Sequence, residues 1–354
     1  MSCISFPSIV QYRQVIRHIQ DRCKYHNIPL PTLTFQGTVK LHGTNAGVVL
    51  LPSNEIQVQS RERVITPLDD NAGFAMFVEK NKIYFKRLLD AFLGYCDCDL
   101  FSDRASIQIY GEFCGGSIQK GIGLSYLPKK FVIFSVRISE NAESTEWLSP
   151  STVCGIFDSI KAPDDIHLIT DFPTFYSSIN FNTPEQYQNT LGELTQAVEK
   201  DCPVARYFLK DTKDVLTGEG IVWECISEYN SGYNLPFTTK GLRFKVKGEK
   251  HSSSKVKTLA PVDIEKVNSI NEFVSVVLTD SRLNQGLDNL KEHSKDLSER
   301  STGDYIKWVV GDVLKEELDV IAASGWPARD ITSALSKGAR EFYFKHLNTQ
   351  AGIQ

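Results

Sequence analysis

Every strand-like run in this 354-residue chain lies before residue 248, and only helical patterning follows. No other feature limits the fold as much. Apolar and polar residues alternate from Phe35 to Arg61 in three runs, and again over Ser106–Phe113, Phe131–Ile138, Glu219–Ser227 and Leu242–Lys247. That is the period of half-buried strands. Helical spacing is read in Gln11–Cys23, with Val15, Ile16 and Ile19 on one side, and in Gly73–Tyr95. Thr183–Lys200 opens on Thr-Pro with Gln186 three residues on, a capping-box pattern that predicts a helix starting there. The polar stretch Lys250–Lys255 is read as a hinge. Beyond it Val262–Leu290, Thr302–Ser324 and Ala328–Leu347 read as helices, with Gly325 and Pro327 parting the last two. The expectation is an α+β chain: an antiparallel-sheet domain at 1–250, a hinge at 251–257 and a small all-α C-terminal domain at 258–354.

Composition narrows the class. Hydrophobic content of 41% and charged content of 23% are those of a water-soluble globular protein. No apolar stretch approaches a membrane span, and Met1–Ile9 lacks the organisation of a signal peptide. Of eight cysteines only Cys96 and Cys98 are close together, so reduced thiols are expected rather than zinc. A cytoplasmic setting follows (a host cytoplasm if the source is viral). The net charge of −4 does not advertise nucleic-acid binding, yet Lys240–Lys257 carries seven Lys/Arg against one acid, Glu249. Such a local strip suits a small footprint on one strand end, not groove tracking.

Chemistry is suggested first by Lys40-Leu41-His42-Gly43-Thr44-Asn45, where a strand-end lysine precedes a tight turn. A lysine in a desolvated or cation-rich site can act as a nucleophile. Alone, the segment reads better as an ordinary strand-edge lysine, because so short a pattern recurs by chance. Five further motifs change that reading: Ser60-Arg61-Glu62-Arg63, Ile109-Tyr110-Gly111-Glu112-Phe113, Phe131-Val132-Ile133-Phe134, Glu219-Gly220-Ile221-Val222 and Leu242-Arg243-Phe244-Lys245-Val246-Lys247. In the last, Arg243, Lys245 and Lys247 share one strand face. In this order the set resembles the six nucleotidyl-transfer motifs of covalent ligases and mRNA capping enzymes. It is most similar to the phage-type ATP-dependent RNA ligase 2 family, with the C-terminal third resembling that family's helical domain more weakly.

The resemblance implies an antiparallel-sheet nucleotidyltransferase core of ATP-grasp-like ligase type. It implies Lys40 as the catalytic nucleophile on ATP, with Mg²⁺ or Mn²⁺ helped by the Glu219 carboxylate. Val39, Leu41, His42, Asn45, Arg61, Glu112, Phe134, Glu219, Lys245 and Lys247 fall at nucleotide-binding positions. Among these, Phe134 would stack on adenine, Arg61 and Glu112 would organise the ribose, and Val39 and Leu41 flank the base through their backbone. Lys245 and Lys247 would crowd the amine and neutralise phosphate charge. Asn45, Gln119, Arg282, Asp312 and Glu316 match RNA-contact or step-specific positions. His42 and the pair Gln119-Lys120 lean toward RNA rather than DNA. Three positions depart from the family pattern: Glu224 stands where lysine is usual, Ser135 where an acid is usual, and Val39 where glutamate is frequent.

The function expected is RNA ligation of 5′-phosphate and 3′-hydroxyl ends through lysyl-AMP and RNA-adenylate. Nicked duplex RNA is the expected partner, and a monomer with no membrane association the expected state. The alternatives are a single-strand or loop-sealing RNA ligase, an mRNA guanylyltransferase, a DNA ligase, or a non-catalytic RNA-end-binding protein. The guanylyltransferase would append a β-barrel where this chain reads helical.

Overall fold

In the computed structural model, the described residues are 3–96, 105–116, 118, 122–139, 145–228, 235–248, 269–293 and 295–350. The alternating runs pair into two sheets because each has one apolar face to bury. The first sheet has strands β1 (Val10–Gln11), β2 (Thr32–Lys40), β9 (Phe175–Asn180), β10 (Gly220–Cys225) and β11 (Arg243–Lys247), in the order β1-β11-β10-β2-β9. The second runs β4 (Ile56–Ser60), β3 (Thr44–Leu50), β5 (Ser106–Cys114), β6 (Lys130–Ser139), β7 (Thr145–Trp147), with β8 (Ile166–Leu168) on β6. Pairing is antiparallel except for β1 on β11 and β8 on β6. Thus the α+β expectation with antiparallel sheets stands.

Odd-numbered residues of β2 point into the first core. Leu33, Phe35 and Val39 join Ile221, Trp223, Phe244 and Val246, covered by α1 (Tyr12–His26) through Val15 and Ile19. Gly37 pairs with Trp223 across the strands, and a Cβ on Gly37 would meet the indole at 2.9 Å. The second sheet buries Val48, Ile107, Ile109 and Ile138 against α2 (Phe74–Lys80), α3 (Lys82–Cys96) and α4 (Pro150–Asp158). Between β2 and β3 the chain turns at Gly43, where an added Cβ would meet the Phe113 carbonyl oxygen and lie 2.8 Å from the Cys114 Cβ. Backbone blocks that space, so Gly43→Ala is expected to cost about 3 kcal/mol in urea unfolding.

After residue 269 the described chain is helical: α7 (Ile270–Val277), α8 (Asp280–Glu292), α9 (Thr302–Glu316), α10 (Leu318–Ser324) and α11 (Ala328–Gln350). Their apolar faces form two further clusters, one around Phe273, Ile331 and Leu335, the other around Tyr305, Val309 and Tyr343. No helix among the described residues is long and apolar enough to cross a membrane.

Several boundaries differ from the sequence reading. Gly73–Tyr95 is two helices, because Asn81 leaves helical geometry and its side-chain amide donates to the Phe77 carbonyl. Thr183 makes no side-chain cap. Pro184–Tyr187 forms a 3-10 turn and the α-helix, α5 (Gln188–Lys200), begins after it. The described part of Val262–Leu290 splits where the Thr279 hydroxyl caps α8 by accepting from Arg282 N–H. The Thr302–Ser324 helix breaks at Glu317. The hinge at 251–257, Gln119 and Lys120 lie outside the described residues.

Candidate active site

The faces of the sheets turned away from the cores border a cavity of about 1010 Å³, which α8 and α9 line from the other side. Because side chains alternate along a strand, Lys40 at the end of β2 points into this space, while the Val39 and Leu41 side chains are buried in the core. Only the backbone of those two residues is left to meet a nucleotide. Register places Lys40 opposite Gly220, and Gly220 opposite Lys247.

Glu219 organises this end of the cavity. Its Oε2 accepts from Lys40 Nζ at 2.7 Å and lies 3.3 Å from His42 Nδ1, and its Oε1 is 3.1 Å from Lys247 Nζ. Burial alone would raise its pKa, but the Lys40 and Lys247 ammonium groups and His42 outweigh it and hold the carboxyl well below its usual range. Lys247 shows the reciprocal effect: burial lowers it, Glu219 and Glu316 raise it, and the net shift is upward. Lys245 shifts downward, since burial together with Lys247 and Lys40 exceeds the attraction of Glu316. The expected crowding of Lys40 by cations is therefore indirect, with Glu219 standing between Lys40 and Lys247.

Glu112, on β5, accepts the Gly43 N–H at 2.9 Å and stands opposite Asn45 across the strands. Burial pushes its carboxyl up to about 7; Glu219 reinforces the shift, and Lys40, the Gly43 N–H and His42 oppose it. A carboxyl raised on folding favours the fold below its unfolded pKa, and that advantage is lost as pH rises through about 7. Glu112→Gln is therefore expected to stabilise the protein at pH 8 relative to pH 5, on the order of 1 kcal/mol, as thermal unfolding at the two values would report.

Arg61 is exposed on the cavity wall, and Phe134 lines the far end with its ring edge-to-face against Phe6 at 5.0 Å. Arg282, Asp312 and Glu316 meet as one network. The Arg282 guanidinium, fully buried, donates to Asp312 at 2.9 Å, to Glu316 at 2.8 Å and to the Val277 carbonyl at 2.7 Å. Glu316 in turn reaches Lys245 Nζ at 2.6 Å, and burial is outweighed by Lys245, Lys247 and Arg282, which hold its carboxyl low.

The basic strip is not a bare one. Its four described cations are all ion-paired: Lys240 with Glu146, Arg243 with Glu224, Lys245 with Glu316 and Lys247 with Glu219. Two groupings have no signal in the sequence. Arg13 on α1 bridges to Glu317 and Asp319 at 2.8 Å each, and Arg243 joins Glu224 and Ser135, two of the three departing positions. Alternation with Lys245 and Lys247 places Arg243 on their strand face but says nothing of these partners.

A hard divalent cation suits carboxylate oxygens. Among the described residues no three His, Cys, Asp or Glu side chains gather to hold one. The described residues would supply at most one or two carboxylates here, leaving phosphate oxygens and water to complete the shell, the pattern usual for Mg²⁺.

A family model described as RNA ligase matches residues 33–247. Among solved structures the chain is similar to a Naegleria gruberi RNA ligase variant with AMP and Mn, at 17% identity over 70% of this chain and 56% of that one, with a TM-score of 0.43. A second variant, with ATP and Mn, matches at 17% identity over 70% and 57%, TM-score 0.42. The same ligase with PPi matches at 15% over 70% and 56%, TM-score 0.43. The present chain thus spans little more than half the length of these proteins.

Proposed function

The chain belongs to the RNA ligase family, and from that premise we propose that it is an ATP-dependent ligase of RNA ligase 2 type that seals nicks in duplex RNA through Lys40. The observation that carries this reading is a strand-end lysine pointing into a large cavity, bound to a buried glutamate that also binds Lys247. Lys40 Nζ attacks the α-phosphorus of ATP: a P–N bond forms, the bond to pyrophosphate breaks, and the amine's proton is released to solvent. Glu219 orients the amine, but its low pKa makes it a poor final proton acceptor. Lys245 and Lys247 face the charge that develops on phosphate oxygens. Mg²⁺ or Mn²⁺, when bound with Glu219 nearby, supplies further neutralisation of phosphate charge. An oxygen of the RNA 5′-phosphate then displaces Lys40 from the nucleotide, and the adjacent 3′-hydroxyl displaces AMP as the phosphodiester forms.

The reading includes an ATP-grasp-like core at 1–250, a hinge at 251–257, a helical domain at 258–354, a monomeric state and a cytoplasmic setting. Phe134 stacks on the base, Arg61 and Glu112 order the ribose, and Asn45, with Gln119 downstream, serves the RNA end. Arg282, Asp312 and Glu316 act in charging the enzyme. Covalent transfer from α-labelled ATP and GTP, followed by sealing of a nicked duplex and of an open single strand, tests it. Labelling by ATP alone and faster sealing of the nick are expected. Labelling by GTP would redirect the assignment to capping, and preference for open ends to a strand-joining ligase.

A further inference from the structure

The cavity-facing residues of the first sheet change character along the strands. At one end stand Lys40 and Lys247, flanking Gly220; next come Thr38, Val222 and Lys245; last come Gln36, Glu224 and Arg243. From Gly220 to Glu224 is four strand residues, roughly 13 Å, comparable to the reach of an extended nucleoside monophosphate. Cations for phosphate occupy one end, and a half-buried acid the other.

That acid is held in place. Arg243 Nη2 donates to Glu224 Oε1 at 2.8 Å and to the Ser135 hydroxyl at 2.9 Å, and the guanidinium lies 4.3 Å over the Trp147 ring. Gly241, at φ +73°, makes room for the indole, since a Cβ there would lie 2.5 Å from it. Phe6 packs on Trp147, on Phe134 and under Arg243, closing this corner. With its Nη2 donors committed to Ser135 and Glu224, Arg243 fixes the carboxylate. Among the described residues no hydrogen bond takes up Glu224 Oε2, and Glu224 and Phe134 line the same pocket. An ion pair this sheltered, with its arginine buried and its acid half-buried, is a poor source of stability, so its presence in a pocket wall needs another reason.

We propose that Glu224, oriented by Arg243, accepts a hydrogen bond from the exocyclic amine of the nucleotide's purine and makes the site select adenine. This rests on the ligase reading above. An ionised carboxylate only accepts. The 6-amino group of adenine satisfies it, whereas the 6-oxo group of hypoxanthine or guanine sets acceptor against acceptor. Losing a hydrogen bond to a charged group in a closed site is worth about ten- to a hundredfold.

The test compares α-labelled ATP, ITP and GTP as donors of covalent label to wild type and Glu224→Gln, with equilibrium binding of ATP and ITP alongside. This substitution is the informative one, because the amide keeps the shape and the oxygen facing Arg243 while offering a donor to a 6-oxo group. Wild type is expected to favour ATP over ITP by about ten- to a hundredfold, and the substitution to bring that ratio within about threefold in both assays. An unchanged ATP-to-ITP ratio in the folded variant overturns the proposal while leaving the ligase reading intact. No covalent label from ATP on wild type overturns both.

Discussion

Lys40→Ala is expected to abolish covalent label transfer from ATP, a loss of at least about a thousandfold, while leaving the fold intact. In the proposed mechanism no other group can take over the chemistry, because the bond to phosphorus is made by this amine. The fold should survive because Glu219 loses only one of its two lysine partners. Lys247 still faces its Oε1 at 3.1 Å and His42 its Oε2, so no buried charge is stranded. Thermal unfolding of the variant should therefore stay close to wild type. RNA supplied already adenylated at its 5′ end should still be sealed, since that step bypasses the amine. Retained label transfer would move the nucleophile elsewhere. Loss of the fold would make Lys40 a structural residue.

Arg282→Ala should be the most damaging change to stability outside the sheets. The side chain is fully buried and faces Asp312, Glu316 and, at 3.6 Å, Glu317. Removing it leaves acids with less than their share of positive charge and leaves the Val277 carbonyl without its donor. Stranded buried charge costs about 3–5 kcal/mol. Arg282→Lys should recover only part, because an ammonium lacks the planar fork that serves several acceptors at once. Urea unfolding of the two variants would measure the difference. Equal midpoints for alanine and wild type would mean that the acids rearrange freely, and the network would then be surface decoration.

Legibility from sequence follows the range of the interaction. Strands over Thr32–Lys40 and Arg243–Lys247 are readable because burial of one face imposes a period of two on neighbouring residues. Lys40, His42, Glu112, Glu219 and Lys247 are named by ordered motifs, and the fold gathers them around Gly43 and Glu219. What the sequence does not disclose are pairings between residues far apart in the chain. Arg13 with Glu317 is one, and the joining of Ser135, Glu224 and Arg243 is another. Neither leaves a local periodicity. The burial of Arg282 is hidden too, because an i, i+4 acid pair on α9 has the same pattern whether or not an arginine from α8 lies on it. The threonines Thr183 and Thr279 share a further limit. Both residues suit a cap, but only the backbone around Thr279 lets its hydroxyl accept from the amide three residues on, that of Arg282.

The pairing of Gly37 with Trp223 decides more than how the core is filled. Side chains along β2 alternate between two worlds, so the address of the Lys40 amine is a question of odd or even. A slip of one residue against β10 would send Lys40 into oil and hand the cavity to Val39. The indole, resting where only a hydrogen atom fits, is the tooth that forbids that slip. Parity for the proposed chemistry is thus kept on the far side of the sheet, by two residues that do not line the cavity.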